Sequence, residues 1–134
     1  MEIKKYTFPI HGDSRGQLVA IEEFSDIPFA IKRVYYMYDT TKGVRRGYHA
    51  HKHLQQILIC VKGSCKILLD DGTEKQEILL DKPYEGLYIA NNMWREMFDF
   101  SEDAVLMVLA SEKYDEADYI RNYRDFLTFV SKDN

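Results

Sequence analysis

The chain has 134 residues, 46% of them hydrophobic, with seven Phe and ten Tyr, which suits a single domain built around one core. Its net charge of −4 argues against a nucleic-acid surface, which shows a clustered basic excess. No apolar run approaches the roughly eighteen residues of a membrane span, and Met1-Glu2-Ile3-Lys4-Lys5 lacks a signal-peptide pattern, so a cytoplasmic protein without membrane partners is expected. The two cysteines, Cys60 and Cys65, are expected to be reduced thiols filling strand positions.

From residue 5 to about residue 110, short β-branched and aromatic runs alternate with turn residues, the pattern of a sandwich or barrel. Strands are predicted over Gln17–Phe24, Lys32–Asp39, Tyr48–His51, Gln55–Val61, Cys65–Leu69, Lys75–Leu80, Gly86–Ala90 and Ala104–Ala110. Turns fall at His11-Gly12-Asp13, Thr40–Gly43, Lys62-Gly63-Ser64, Asp70-Asp71-Gly72 and Asp81-Lys82-Pro83. After Ser111 the apolar spacing changes to three and four through Ile120, Tyr123, Phe126, Leu127 and Val130. One amphipathic helix is predicted over about 115–131, capped by Asp115 and covering the barrel rather than contributing chemistry.

Three of the four histidines lie in His49-Ala50-His51-Lys52-His53. In an extended segment His49 and His51 project from one face and share a pocket. His53 is the weaker candidate, placed where strand regularity breaks toward Leu54. Arg33 and Tyr35 likewise share a strand face, so Tyr35 can set a phenol beside the imidazoles, or else serve as a hydrogen-bonded core aromatic. An anionic small ligand remains compatible with the net charge, because Arg15, Arg33, Arg45, Arg46 and Arg95 can supply cations to a cleft.

The spacing Gly43, His49-Ala50-His51, Gln56, Gly63 resembles the first motif of the cupins, whose metal-binding members carry Glu at the Gln56 position. The segment Ala90–Arg95 resembles the second motif, with Arg95 where a fourth ligand would stand. Gln is a poor metal ligand and Arg a repulsive one, so a metal-free pocket with no cofactor is expected. Two neighbouring imidazoles without metal suit proton transfer.

Asp13–Glu23, Ile31–Tyr36, Arg46–Lys52, Leu87-Tyr88-Ile89, Trp94–Met97 and Val108–Ser111 resemble the nucleotide-sugar 3,4-ketoisomerases over nearly the whole chain. The resemblance implies an all-β cupin jelly-roll barrel over about 1–111, with one C-terminal α-helix, in a single domain 1–134. It implies a homodimer with exchanged N-terminal strands and no metal. Its reaction would move the carbonyl of dTDP-4-keto-6-deoxy-D-glucose from C4 to C3, with galacto or gluco configuration at C4, toward dTDP-3-amino-3,6-dideoxyhexoses of surface glycans. On this resemblance His51 is the base at C3, His49 its partner, and Tyr35 a proton donor or relay. Arg15 and Arg95 lie near the hexose, with Arg33 and Arg46 at the pyrophosphate. Rival readings are a dTDP-sugar 3,5-epimerase, a non-catalytic sugar-binding cupin and a metal-dependent cupin.

Overall fold

In the computed structural model, which describes residues 1–132, strand β6 (Gln56–Lys62) shows the rule that builds the molecule. Successive side chains of a strand take opposite faces. Leu58 and Cys60 turn into the space between two sheets, whereas Ile57 and Ile59 face outward, under Phe8, Ile27 and Phe29. A strand buried on both faces follows, which is why its sequence is almost wholly apolar.

The first sheet runs β1 (Lys4–Thr7), β9 (Glu85–Ile89), β6, β11 (Val105–Ala110) and β4 (Arg33–Met37). The second runs β12 (Tyr119–Ile120), β5 (Arg46–His51), β10 (Trp94–Phe98), β7 (Cys65–Asp70) and β8 (Lys75–Leu80). Every ladder within these sheets is antiparallel. Strands β2 (Ile10–Asp13) and β3 (Gly16–Val19) form a separate hairpin. The result is the expected all-β jelly roll, with the helix α1 (Tyr123–Lys132) outside the second sheet. Among the described residues, no helix is long and apolar enough to cross a membrane.

Between the sheets, Leu58, Ile67, Leu69, Leu80, Leu87, Leu106 and Val108 are excluded from water. Each aliphatic side chain buried this way contributes about 1.5–3 kcal/mol. Cys60 and Cys65 lie in the same cluster as free, buried thiols, as expected. Outside the second sheet, Phe126 of α1 packs on Ala50, Trp94 and Ile120.

Several boundaries differ from the sequence reading. The predicted strand Gln17–Phe24 ends at Val19, and Phe24 takes a positive φ of 61°. The expected turn at His11-Gly12-Asp13 lies inside β2, and the hairpin reverses one step later through Ser14 and Arg15. Strands β1 and β10 were not predicted. β1 is short and lysine-bearing, and β10 sets Arg95 and Glu96 in its middle, which hides the apolar alternation.

The predicted helix over 115–131 is shorter and differently built. Asp115 does cap, accepting from the Ala117 amide, but it caps one 3₁₀ turn, Glu116–Asp118. Tyr119 and Ile120 then pair with His51 and Ala50. Asn122 starts α1 instead, its side chain accepting from the Asp125 amide at 3.0 Å. Tertiary strand pairing outweighs the helical spacing there, since the edge of β5 offers backbone partners that an isolated helix turn lacks.

Candidate active site

The imidazoles owe their aim to a β-bulge. Arg95 pairs with His49 across β5 and β10, but the next pair is Glu96 with Gly47, so Tyr48 is an extra residue. Gly47 and Tyr48 both take left-handed conformations, with φ of 93° and 56°. A side chain at Gly47 would meet the Arg95 carbonyl oxygen at 2.9 Å, so glycine alone lets β10 approach this closely. The bulge presents the Gly47 carbonyl to the His49 ring, and Nδ1–H donates to it at 3.1 Å. A carbonyl can only accept, so Nδ1 carries the proton and Nε2 is the bare nitrogen.

His51 is held from the other side. Its Nδ1–H donates to the Asp118 carboxylate at 3.0 Å, and the same carboxylate accepts from the backbone amides of His53 and Leu54. Both Nε2 atoms are buried without a protein hydrogen-bond partner. The two rings stand edge to face, centroids 5.0 Å apart, as the shared strand face predicted. Tyr119 closes this wall, 4.3 Å from the His51 ring and 5.0 Å from that of His49, with the Arg121 guanidinium 4.1 Å above its own ring.

Burial, and next the charge of Arg95, push both histidines down to about 3, so each ring is neutral at pH 7. Arg121 adds to this at both rings, and Arg33 at His51. Arg95 itself has 0% exposure. Desolvation lowers it to about 10, which still leaves it cationic at neutral pH. Its Nε and Nη2 donate to the Met93 carbonyl at 3.3 and 3.0 Å, and its Nη1 donates to Gln56 Oε1. The Gln56 amide in turn donates to the Tyr35 hydroxyl at 2.9 Å. Burial raises the Tyr35 phenol above its ordinary value, so it holds its proton. The Arg33 guanidinium stacks 4.5 Å from the Tyr35 ring, with Nη1 buried and unpartnered.

Arg33, Tyr35, His49, His51 and Arg95 therefore gather at one end of the barrel interior. Arg46 is exposed at the start of β5. Arg15 sits at the hairpin turn with a side chain 88% exposed, ion-paired to Asp13 at 2.6 Å. Both are solvent-exposed, unlike the buried imidazoles. His53 is exposed and contributes only its backbone. Gln56 and Arg95, standing where the motif would set two further metal ligands, hydrogen-bond each other. Among the described residues, no cluster of three His, Cys, Asp or Glu side chains is placed to hold a metal ion.

The sequence reading missed Asp118, Tyr119 and Arg121, and saw Gln56 only as a missing ligand. No local signal separates the two starts: Asp115 and Asn122 are equivalent caps, each with an Asp three residues on, and the pairing of Tyr119 and Ile120 with β5 selects Asn122.

The family model described as "FdtA: WxcM-like, C-terminal" matches residues 1–131. A TDP-4-oxo-6-deoxy-alpha-D-glucose-3,4-oxoisomerase from Aneurinibacillus thermoaerophilus is 56% identical over 100% of this chain and 96% of its own length. The sugar 3,4-ketoisomerase QdtA from Thermoanaerobacterium thermosaccharolyticum, in complex with TDP, superposes with a TM-score of 0.95 at 50% identity, over 98% of this chain and 96% of that one. A histidine-to-asparagine mutant of the same enzyme, in complex with TDP-4-keto-6-deoxyglucose, matches with a TM-score of 0.95 at 50% identity over 97% and 94% of the two chains. The chain belongs to the FdtA family, and the resemblance to sugar 3,4-ketoisomerases read from its sequence is borne out.

Proposed function

We propose that the chain isomerises dTDP-4-keto-6-deoxy-D-glucose to the 3-keto sugar, galacto or gluco at C4, by acid–base catalysis through an enediol. The observation that carries this reading is the pair of buried, neutral imidazoles with bare Nε2 atoms, flanked by a protonated phenol and a buried guanidinium. Such a set supplies a base, an acid and charge stabilisation.

In this reading His51 removes the C3 proton through Nε2. The imidazolium that forms is compensated by Asp118 at Nδ1, while Arg95 and Arg33 favour negative charge on the enediolate oxygens. The C4 oxygen takes the Tyr35 proton, the C3 hydroxyl gives its proton to His49, which returns it to the Tyr35 phenolate, and the His51 imidazolium, after exchange with solvent, delivers a proton to C4. Protons balance, and the sugar leaves as an isomer. The same cations that keep the resting imidazoles neutral thus serve the transition state. The unpartnered Arg33 Nη1 suits a diphosphate oxygen.

A homodimer with exchanged N-terminal strands completes the proposal and gives Arg15 a role in the partner's site. Its support is the β2–β3 hairpin, which pairs with itself alone and leaves Ile10 47% and Leu18 58% exposed. Arg46 is proposed for the same diphosphate region. A cytoplasmic setting without nucleic-acid or membrane partners goes with this reading, as does catalysis without a cofactor.

The test is incubation with dTDP-4-keto-6-deoxyglucose in deuterated water, followed by NMR of the sugar ring. Carbonyl migration with deuterium at C4 is expected, and the same spectrum gives the C4 configuration. Exchange at C3 and C5 without migration would make the chain an epimerase; an unchanged sugar would make it a binding protein.

A further inference from the structure

We propose that Gln56 is a positioning residue that directs the Tyr35 hydroxyl proton toward the substrate, a role resting on the ketoisomerase reading above. The argument is one of donors and acceptors. Arg95 is fully buried and its guanidinium has only donors, so the Gln56 atom that faces it is the amide oxygen. The Gln56 NH₂ must then face Tyr35, 2.9 Å away, and the phenol oxygen accepts. A phenol that accepts from Gln56 turns its single O–H elsewhere.

The bond also crosses the barrel. Arg95 lies on β10 in the second sheet, while Gln56 and Tyr35 lie on β6 and β4 in the first. Gln56 has 2% exposure, so water does not compete for these bonds. A glutamate at this position would keep the Arg95 contact. Its carboxylate, however, has only acceptors, so it would draw the Tyr35 proton toward itself and away from the substrate. Chemistry that needs a phenol donor therefore requires the amide, not the acid.

The experiment compares Gln56→Glu with the wild type, alone and combined with Tyr35→Phe. Gln56→Glu should keep its thermal midpoint and its KM within about threefold, yet lose about 10²-fold in kcat, the lower end for a positioned acid–base group. In the Tyr35→Phe background the same change should cost less than about threefold, since the phenol it misdirects is gone. Gln56→Met, which keeps the residue's bulk but frees the phenol to rotate, should lose about tenfold, again only when Tyr35 is present. Wild-type turnover in either variant, or an equal loss in the Tyr35→Phe background, would overturn the proposal.

A substrate-free readout separates this from the functional reading. Ring-labelled tyrosine NMR should show Tyr35 ionising at higher pH in Gln56→Glu than in wild type, because the phenol then donates to an anion. An unchanged titration overturns the positioning role. A shifted titration in a protein that fails to isomerise the sugar leaves the role standing and removes the ketoisomerase reading instead.

Discussion

The two ends of the barrel interior are built from the same strands and differ in what they ask of the fold. Strand β6 runs from Gln56 at one end through Leu58 to Cys60 at the other, and β10 from Arg95 to Met97. At the apolar end, Leu58, Ile67, Leu80 and Leu106 fill space and need no specific partner. At the polar end, Arg95 must be satisfied by Met93 and Gln56, Asp118 must be brought in from the C-terminal segment, and two Nε2 atoms stay unsatisfied. Buried polar atoms without partners cost free energy. The barrel is stabilised at one end and spends part of that stability at the other.

The largest expected effect breaks the polar end. His51→Asn and His49→Asn should each lower kcat by about two to four orders of magnitude with the fold retained, measured by initial rates beside circular dichroism. Near-normal turnover in both would remove them from the chemistry. The mirror experiment is Leu58→Ala or Ile67→Ala at the apolar end. Each should cost about 2–5 kcal/mol in urea unfolding while kcat per folded molecule stays within about threefold. A large kcat loss there would mean the two ends are not separable.

Asp118→Asn comes next, with a loss of about 10- to 100-fold in kcat. An amide NH₂ facing His51 Nδ1 favours the opposite tautomer, with the proton on Nε2, and ¹⁵N NMR of the ring would show it. A retained tautomer with full activity would limit Asp118 to holding the backbone amides of His53 and Leu54.

The acid response is graded with pH rather than set by one substitution. Both histidines sit at about 3 in the folded protein, below the ordinary value of 6.5 that they regain on unfolding. The unfolded chain therefore binds protons first as pH falls. The stability that the neutral rings allow is complete above pH 6.5 and is lost as pH drops toward about 3, at about 1.4 kcal/mol per pH unit for each ring. Urea melts at pH 7 and pH 5 should show this slope, and His49→Asn should remove one ring's share. For the same reason kcat/KM of wild type should hold through pH 6, where an unperturbed histidine would already be protonated.

The C-terminal segment shows why part of the site escaped a reading of the sequence. Ile120, Phe126 and Val130 do recur at helical spacing, and Phe126 is buried under α1 as that spacing predicts. Residues 119 and 120, however, are claimed by the edge of β5, a partner that lies far away in the chain. Arg95 and Gln56 stand in the sequence only as replacements for two metal ligands, whereas their mutual bond joins residues 39 apart across two sheets.

What the sequence determined by itself was whatever depends on local period and residue chemistry. The apolar runs of β6 and β11 follow from residue chemistry, the turns at Lys62–Ser64 and Asp71-Gly72 from their Gly and Asp residues, and the shared face of His49 and His51 from the two-residue strand repeat. Tertiary structure decided what depends on long-range pairing. The bulge at Gly47 and Tyr48 aims His49, Asp118 orients His51, and Gln56 joins Arg95 across the barrel to Tyr35 in its own sheet. A backbone amide or a buried carboxylate takes the partner that the fold brings within about 3 Å, and no local pattern in the chain specifies which partner that is.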